Sequence, residues 1–315
     1  MNKKLIKILK NPKYLFIVLS YIGFFKHMDD RKYLEIVYKI RTGQELNLTN
    51  PQTFNEKLQW LKLYNRKPIY SKMVDKYAVK EYVANIIGEE YIIPTLGVWK
   101  RFEDIDFDKL PNQFVIKCTH DSGSVTVCED KTKLDIVKLK KQYEFYLRRN
   151  YAFMTYEMHY KNIPHRIVIE KYMGQAINDY KFLCFNGRPL YCWVDVDRFS
   201  NHKRNIYDLD WNLQPFNQFY SNSDKAIEKP ACFDEMIRIV TRLCKGFSHV
   251  RVDLYLIDGK IYFGEMTFTN GGGNEVITPD KWDKKLGDLW EIDTLGRSNH
   301  NRKKKIKDYV VDRGE

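Results

Sequence analysis

The sequence predicts an α+β fold, and three observations carry that prediction. Helical periodicity fills the first third of the 315 residues, apolar strand-like runs dominate the remainder, and two pairs of those runs fold back at Asn186-Gly187 and Asp258-Gly259. Strands joined by two-residue turns are antiparallel neighbours, so this order argues against alternating strand–helix units. With 43% apolar and 15% aromatic residues, the chain can fill a sizeable core in one large domain or in two or three closely packed lobes.

The N-terminal stretch is basic from Met1 to Lys10 and then apolar from Leu15 to Phe25. It resembles the first two regions of a signal peptide, but it ends in Phe24-Phe25-Lys26-His27 with no small-x-small cleavage site. It is also shorter than the ~20 residues that span a bilayer. Two placements stay open: a helix docked on the body, or one lying on a membrane surface with Lys3, Lys4, Lys7, Lys10 and Lys13 toward lipid phosphates.

From residue 30 to about 85 the reading is helical. Leu34, Val37 and Tyr38 recur at helical spacing, as do Leu58, Leu61 and Tyr64, and Thr53-Phe54-Asn55-Glu56 forms a capping box. Ser71 to Ile87 reads as one amphipathic helix stopped by Gly88, and Pro94 and Gly97 punctuate the next segment. Gln113 to Thr119 is a strand, His120-Asp121-Ser122-Gly123-Ser124 a turn, and Val125 to Cys128 a second strand. Lys133 to Asn150 is helical, Arg166 to Glu170 strand-like, and Tyr180 to Phe185 pairs with Pro189 to Val196 across Asn186-Gly187. After a helix from Ala231 to Lys245, Val250 to Ile257 and Lys260 to Phe268 form the second hairpin. Gly271-Gly272-Gly273 ends regular structure, and the tail from Asn299 is basic.

Net charge is +12 with a pI near 9.2, which raises the local concentration of anionic partners. Nucleotides, anionic lipid and acidic polysaccharide all fit. Nucleic acid is not expected, because no zinc-finger, helix-turn-helix or RNP pattern is present. The six cysteines contain no CxxC pair and sit mostly in apolar runs, which argues against a disulfide framework or zinc site and for a reducing, cytoplasmic compartment.

Four segments carry chemistry. Asp75-Lys76 begins a helical stretch. Phe114-Val115-Ile116-Lys117 precedes the His120–Ser124 turn, where an ammonium and backbone N–H groups can meet phosphate oxygens. Ile167-Val168-Ile169-Glu170 breaks into Lys171-Tyr172-Met173, offering backbone groups to a purine edge. In the last hairpin, alternation puts Arg251, Asp253 and Tyr255 on one face with Glu265 on the neighbouring strand. Two carboxylates converging there would be costly without a cation, and magnesium shared with phosphate oxygens resolves the repulsion. Taken singly, each segment also fits an ordinary solvated strand end or charged hairpin face.

In order, Asp75-Lys76, Lys117 with its loop, Glu170-Lys171-Tyr172-Met173, Asp253 and Glu265-Met266-Thr267 resemble the ATP-grasp superfamily. Asn50-Pro-Gln-Thr-Phe-Asn-Glu-Lys57, Asp75-Lys76-Tyr77, Phe114-Val-Ile-Lys-Cys-Thr-His120 and Glu265-Met-Thr-Phe268 resemble its TupA-like family, over roughly residues 30–290. The resemblance implies an ATP-grasp fold with ATP held between two α+β lobes. It divides the chain into an N-terminal helix (1–29), a helical substrate region (30–112), a small lobe with the phosphate loop (113–175), a large lobe with the metal site (176–298) and a basic tail (299–315). It implies that Lys76, Lys117 and the loop residues His120, Ser122, Gly123 and Ser124 contact ATP phosphates, with Lys181 also on the nucleotide. Glu170 and the Lys171–Met173 backbone would read adenine. Asp253, Glu265 and Thr267 would hold magnesium, and Arg251 and Lys117 would act in catalysis. Thr267 stands where many relatives have Asn.

Family context is teichuronopeptide and other bacterial surface polysaccharides. It implies a ligase that activates a carboxylate as an acyl phosphate for attack by an amine. An acidic glycan or uronic acid and an amine would be the substrates, and the protein would be cytoplasmic or at the inner face of the membrane. Arg198, Lys203 and Arg204 are the candidate residues for binding the glycan. Alternatives are a kinase on the same fold, a glycosyltransferase using Asp195-Val196-Asp197, and a membrane-associated scaffold.

Overall fold

The computed structural model describes residues 12–174, 178–196 and 202–292. The lysines before Pro12, Arg198, Asp197 and the basic tail from Asn299 lie outside them. Helices come first: α1 (Tyr14–Tyr21), α2 (Asp30–Thr42), α3 (Phe54–Tyr64), α4 (Pro68–Val74) and α5 (Ala78–Ile87). The Asp29 side chain caps α2 by accepting from the Lys32 N–H, and Gly43 ends it in a left-handed conformation. The expected capping box of Thr53 and Glu56 opens α3. The same motif ties distant parts of the chain together. Asn55 donates from its backbone and side-chain amides to Asp283, and the Lys57 ammonium donates to the Gly287 and Trp290 carbonyls.

The single helix expected over Ser71–Ile87 is two helices with a corner between them. Asp75 makes the corner: one carboxylate oxygen accepts from the Tyr77 and Ala78 N–H groups, and the other from Arg166 at 2.7 Å. A buried, charge-paired cap outweighs continued helical periodicity, and it turns Lys76 out of the helix axis.

A small antiparallel sheet follows, built from β1 (Thr95–Trp99), β2 (Phe114–Cys118), β3 (Val125–Cys128) and β4 (Ile167–Lys171) in the order β1-β4-β2-β3. Helices α6 (Ile136–Arg148) and α7 (Tyr151–Thr155) lie between β3 and β4 in sequence. Tyr143 of α6 is fully buried against this sheet and donates to the Ile116 carbonyl. β1 corrects the expected boundary at residue 113, because it pairs with β4 and extends the small lobe back to Thr95. Its signal was hidden by Gly97, which sits at an irregularity in the pairing beneath the Trp99 ring, where any side chain would collide.

The large sheet contains β5 (Asn178–Phe185), β6 (Arg188–Val196) and β7 (Lys203–Asp208). The short β8 (Asn217–Gln218) and helix α8 (Phe233–Leu243) follow, and then β9 (His249–Ile257) and β10 (Lys260–Thr267) complete the sheet. Its order is β10-β9-β5-β6-β7, and both expected hairpins are present at Asn186-Gly187 and Asp258-Gly259. The chain then pairs β11 (Ile277–Thr278) with β8 and ends its described part at α9 (Lys281–Asp288) and Ile292. One face of the sheet, with Phe182, Val252 and Leu254, packs on Phe233, Met236 and Val240 of α8 and on Val83 of α5. The other face is apolar at Leu183, Phe185, Trp193 and Ile206, under α3 and α9. Away from that cluster it is charged.

Two imidazoles, His120 and His249, are buried in this structure and a third, His159, is partly buried. His249 donates or accepts at Nδ1 against the Cys184 carbonyl at 3.0 Å, among Phe54, Phe185 and Trp290. Burial pushes its pKa from 6.5 down to about 3. Burial likewise lowers His159 to about 4, and burial followed by the neighbouring His165 lowers His120 to about 4. Below the ordinary value near 6.5 the unfolded chain binds protons that the fold refuses, so stability is lost as pH falls through that value and the penalty is complete near the folded values. The urea midpoint is therefore expected to drop steadily from pH 7 to pH 5, and His249→Phe should flatten that slope. A midpoint independent of pH over this range would refute the buried neutral histidines.

Candidate functional site

The site is built around the β9–β10 hairpin. Strand alternation puts Arg251, Asp253 and Tyr255 on the charged face of the sheet. Counting back from the turn, Lys260 pairs with Ile257, Tyr262 with Tyr255, and Phe263 with Leu254. Regular continuation would set Gly264 opposite Asp253 and point Glu265 to the apolar face. A bulge at Gly264 prevents this: Glu265 pairs with Asp253, Met266 with Val252 and Thr267 with Arg251. Glycine suits the bulge because a Cβ there would lie 3.0 Å from the Asp253 carbonyl oxygen and 3.1 Å from the Tyr255 ring.

Arg251 clamps the two acids. Its Nε and Nη2 donate to the two oxygens of Asp253 at 2.7 Å each, Nη2 also to Glu265 at 2.7 Å, and Nη1 to the Asn270 amide oxygen at 2.6 Å. Burial works against its charge, but Asp253 and Glu265 more than offset this and raise its pKa. Burial likewise opposes ionisation of Asp253, and Arg251 and Lys181 outweigh it to hold the carboxylate below its ordinary range. The Thr267 hydroxyl is 3.3 Å from Glu265, so all three residues assigned to metal sit together. Asn270 was not anticipated; it lies just past β10 in the Thr-Asn-Gly-Gly-Gly turn, three residues after Thr267.

Lys181 lies one strand over, buried in a row of carboxylates. It pairs with Asp179, with Asp253 at 3.3 Å and with Asp195 at 3.6 Å. Arg204, a candidate for binding the glycan, is a buried residue of β7 with its guanidinium on both oxygens of Asp195 at 2.6 and 3.1 Å. Lys203 begins the same strand and donates to Ser221. Neither lines the cavity beside Arg251, because in-register pairing of β7 with β6 holds them at the far edge of the sheet. The aspartate of the Asp195-Val196-Asp197 pattern that is described is committed to Arg204, Lys181 and His202.

Between the lobes, Lys76, Lys80, Lys117, Glu170, Tyr255 and Gly264 line a slit with only about 10 Å³ of free space. Glu170 is buried and accepts from Lys117 at 2.5 Å and from Lys80 at 2.6 Å. Burial disfavours its charge, and the two ammonium groups prevail and lower its pKa. The side chain of Glu170 therefore faces lysines. Lys171, Tyr172 and Met173 carry the chain out of the small sheet toward β5, with the Lys171 N–H bonded to the Pro94 carbonyl. Lys80 was missed from sequence; it lies on α5, which begins beyond the Asp75 corner and leaves Lys76 outside it.

The loop after β2 splits into a brace and a tip. His120 points inward, stacked on His165 at 3.8 Å with Nε2 3.2 Å from the Tyr146 carbonyl oxygen. Ser124 is buried, accepting from the Cys118 N–H and donating to Asp121, which Arg149 also holds. The Ser124 hydroxyl is thus engaged within the loop, and His120 Nδ1 has no hydrogen-bond partner among the described residues. Ser122 and Gly123 form the exposed tip, and Lys76 donates to the Asp121 carbonyl beneath it.

Ser122 also faces a cavity of about 390 Å³ on the other side of the acids, within the ~300–1,000 Å³ usual for small-molecule sites. Arg251, Glu265 and Thr267 form its floor, Tyr151, Glu157 and Tyr160 one wall, Phe219 and Glu275 another, and Tyr21, Tyr33 and Arg41 of the N-terminal helices a third. Burial raises the pKa of the Glu275 carboxyl.

No group of three or more His, Cys, Asp or Glu side chains capable of holding a metal occurs among the described residues. Two convergent carboxylates with a hydroxyl do not make an all-protein cage. They do fit magnesium, which keeps several other ligands and takes one or two carboxylates together with phosphate oxygens.

A family model described as TupA-like ATPgrasp matches residues 56–291. No curated protein matches the chain. Among solved structures, a D-alanine–D-alanine ligase from Bacillus anthracis complexed with ATP is 22% identical, with 62% of this chain and 56% of that one covered and a TM-score of 0.38. The D-alanine–D-alanine ligase of Helicobacter pylori is 14% identical over 77% and 70%, TM-score 0.40. N5-carboxyaminoimidazole synthetase from Staphylococcus aureus complexed with ADP is 14% identical over 62% and 43%, TM-score 0.35. The chain thus spans little more than half the length of the Bacillus anthracis ligase.

Removing one partner from a buried charge pair costs about 3–5 kcal/mol, because the other is left unpaired. Arg251→Met is expected to lower urea-measured stability by that order, and adding Asp253→Asn should restore part of it. A loss under about 0.5 kcal/mol would show that the clamp does not hold the site. Gly264→Val, which forces a side chain into the bulge, should cost about 1–3 kcal/mol.

Proposed function

Since the chain belongs to the TupA-like ATP-grasp family, we propose that it is an ATP-dependent ligase that joins a carboxylate to an amine through an acyl phosphate. The proposed carboxylate is the uronic-acid carboxyl of a bacterial capsule or cell-wall polysaccharide, and the amine is an amino acid or a related compound. The observation that carries this reading is the clamp of Arg251 on Asp253 and Glu265. Arg251 and Glu265 line the 390 Å³ chamber, and the lysine-lined slit between the lobes reaches the same hairpin at Tyr255 and Gly264.

Each side chain has a task in that scheme. Lys76 and Lys117 bind the phosphates, and Lys80 shares the charge of Glu170 so that Lys117 is steered but not neutralised. The Ser122-Gly123 tip covers the phosphates and excludes water that would hydrolyse the intermediate. Asp253 and Glu265, assisted by Thr267, would hold magnesium, which would supply charge neutralisation at the phosphates. Arg251 orients the substrate carboxylate at the chamber floor. A carboxylate oxygen attacks the γ-phosphorus and ADP leaves. The amine nitrogen then attacks the acyl carbon, inorganic phosphate leaves, and the amine proton is lost. Positioning and charge neutralisation supply most of the catalysis in phosphoryl transfer, which is what this set of residues provides.

The chamber supports a glycan substrate. Tyr21, Tyr33, Tyr151, Tyr160 and Phe219 offer ring surfaces for sugar faces, and Arg41 offers a cation to an acidic sugar.

The test is ADP release with magnesium against a panel of uronic acids and amines, with amide product followed by mass spectrometry. Turnover should require both an acid and an amine, and should fall at least ~100-fold in Asp253→Asn and in Glu265→Gln. ADP with a phosphorylated product and no amide would identify a kinase instead. Hydrolysis of a sugar nucleotide with no use of ATP would end the ligase reading.

A further inference from the structure

Helix α1 has two working faces. Its inner face is docked: Ile17 and Ser20 are buried, Ile17 packs with Tyr33, Leu34, Val37 and Tyr156, and Ile17, Ser20 and Tyr21 help wall the chamber. Yet the helix, Tyr-Leu-Phe-Ile-Val-Leu-Ser-Tyr, is apolar all round, and among the described residues nothing covers Leu15 on its outer face fully. Leu15 is 47% exposed, and beyond the helix end Ile22 is 74% and Phe24 68% exposed. A helix hydrophobic on every side belongs in a larger apolar environment than water.

These exposed side chains are held in place by an ordered turn. Gly23, with φ of 75°, ends α1 in a Schellman arrangement: its N–H bonds to the Ser20 carbonyl and the Phe24 N–H to that of Leu19. Phe25 then turns back, its ring stacked on Phe16 at 4.0 Å and its carbonyl accepting from the Tyr156 hydroxyl at 2.6 Å. With Phe25 pinned inward, Ile22 and Phe24 are fixed outward.

The charge pattern names the partner. The first 28 residues contain six lysines (Lys3, Lys4, Lys7, Lys10, Lys13 and Lys26) and no acid before Asp29, and the chain as a whole carries +12. An apolar tip within a purely basic segment complements a surface that is anionic outside and apolar beneath. No described helix is long and apolar enough to cross a membrane.

We propose that the Leu15–Phe24 tip docks on an anionic lipid bilayer, inserting Ile22 and Phe24 at the interface and setting the chamber wall formed by α1 beside the lipid surface. This docking does not depend on the ligase reading, and either can fail alone. A polymer intermediate carried on a membrane-bound lipid is the class of substrate that such placement serves.

The experiment is co-sedimentation of the full-length chain with vesicles of phosphatidylcholine alone or mixed with phosphatidylglycerol. Wild type should bind the anionic vesicles at least ~10-fold more tightly, and added salt should weaken binding. Ile22→Ser/Phe24→Ser should lose about tenfold or more, and Lys26→Glu should lose affinity for anionic vesicles alone, with circular dichroism unchanged in each. Three outcomes would overturn the proposal: no vesicle binding by wild type, equal binding to neutral and anionic vesicles, or undiminished binding by the double variant. Concentration-dependent dimerisation that the double variant abolishes, without vesicle binding, would assign the tip to a second copy of the chain instead.

Discussion

One misfit between two strands decides whether this protein has a site at all. A regular β9–β10 hairpin would bury Glu265 beside Phe263 and opposite Val252, on the face packed against α8. The bulge at Gly264 advances the register by one residue and brings Glu265 beside Asp253. Two buried or half-buried carboxylates side by side repel, and Arg251 resolves that repulsion by reaching both and Asn270 as well. Bulge and clamp depend on each other: without the bulge Arg251 would face one acid, and without Arg251 the bulged register would set two like charges together.

From this centre paired charges run across the sheet. Glu265, Arg251, Asp253 and Lys181 alternate in sign, Lys181 then lies against both Asp179 and Asp195, and Arg204 closes the run on Asp195. Such a run has no unpaired member in its interior, which is the condition under which buried charge is tolerated. The small lobe repeats the solution with Glu170 between Lys80 and Lys117. Both lobes thus present to the cleft between them charges that are already paired, held in position by partners rather than by solvent.

The N-terminal helices are more than an appendage. α3 is fastened to α9 through Asn55 and Lys57, so both ends of the described chain close over the same face of the large sheet. The Gly271-Gly272-Gly273 turn lies under that closure, with Gln59 and Lys62 of α3 donating to its carbonyls. All three glycines have positive φ, and a Cβ at Gly273 would sit 2.9 Å from Gln59 and 3.0 Å from Leu58. α1 and α2 then complete the chamber beside Arg251. A chamber walled by the first and last parts of a chain exists only once the whole has folded.

Much was legible in the sequence because it depends on short-range physics. Period-two alternation placed Arg251 and Asp253 on one face, Asn-Gly and Asp-Gly fixed both hairpins, and Thr53 with Glu56 announced α3. The residues that carry the family likeness were readable for the same reason, since each motif is contiguous. What only the tertiary structure decided rests on contacts between distant residues. Arg166 turns Asp75 into a corner where periodicity indicated one helix, and Asp195 draws Arg204 into the sheet. His165 draws His120 inward, and β4 recruits a strand at Thr95 that glycine had disguised. The bulge is the sharpest case. Sequence alone puts a glycine before a glutamate, but the face that glutamate takes is set by how β10 is held against β9, because a one-residue shift in register moves a side chain from one side of a sheet to the other.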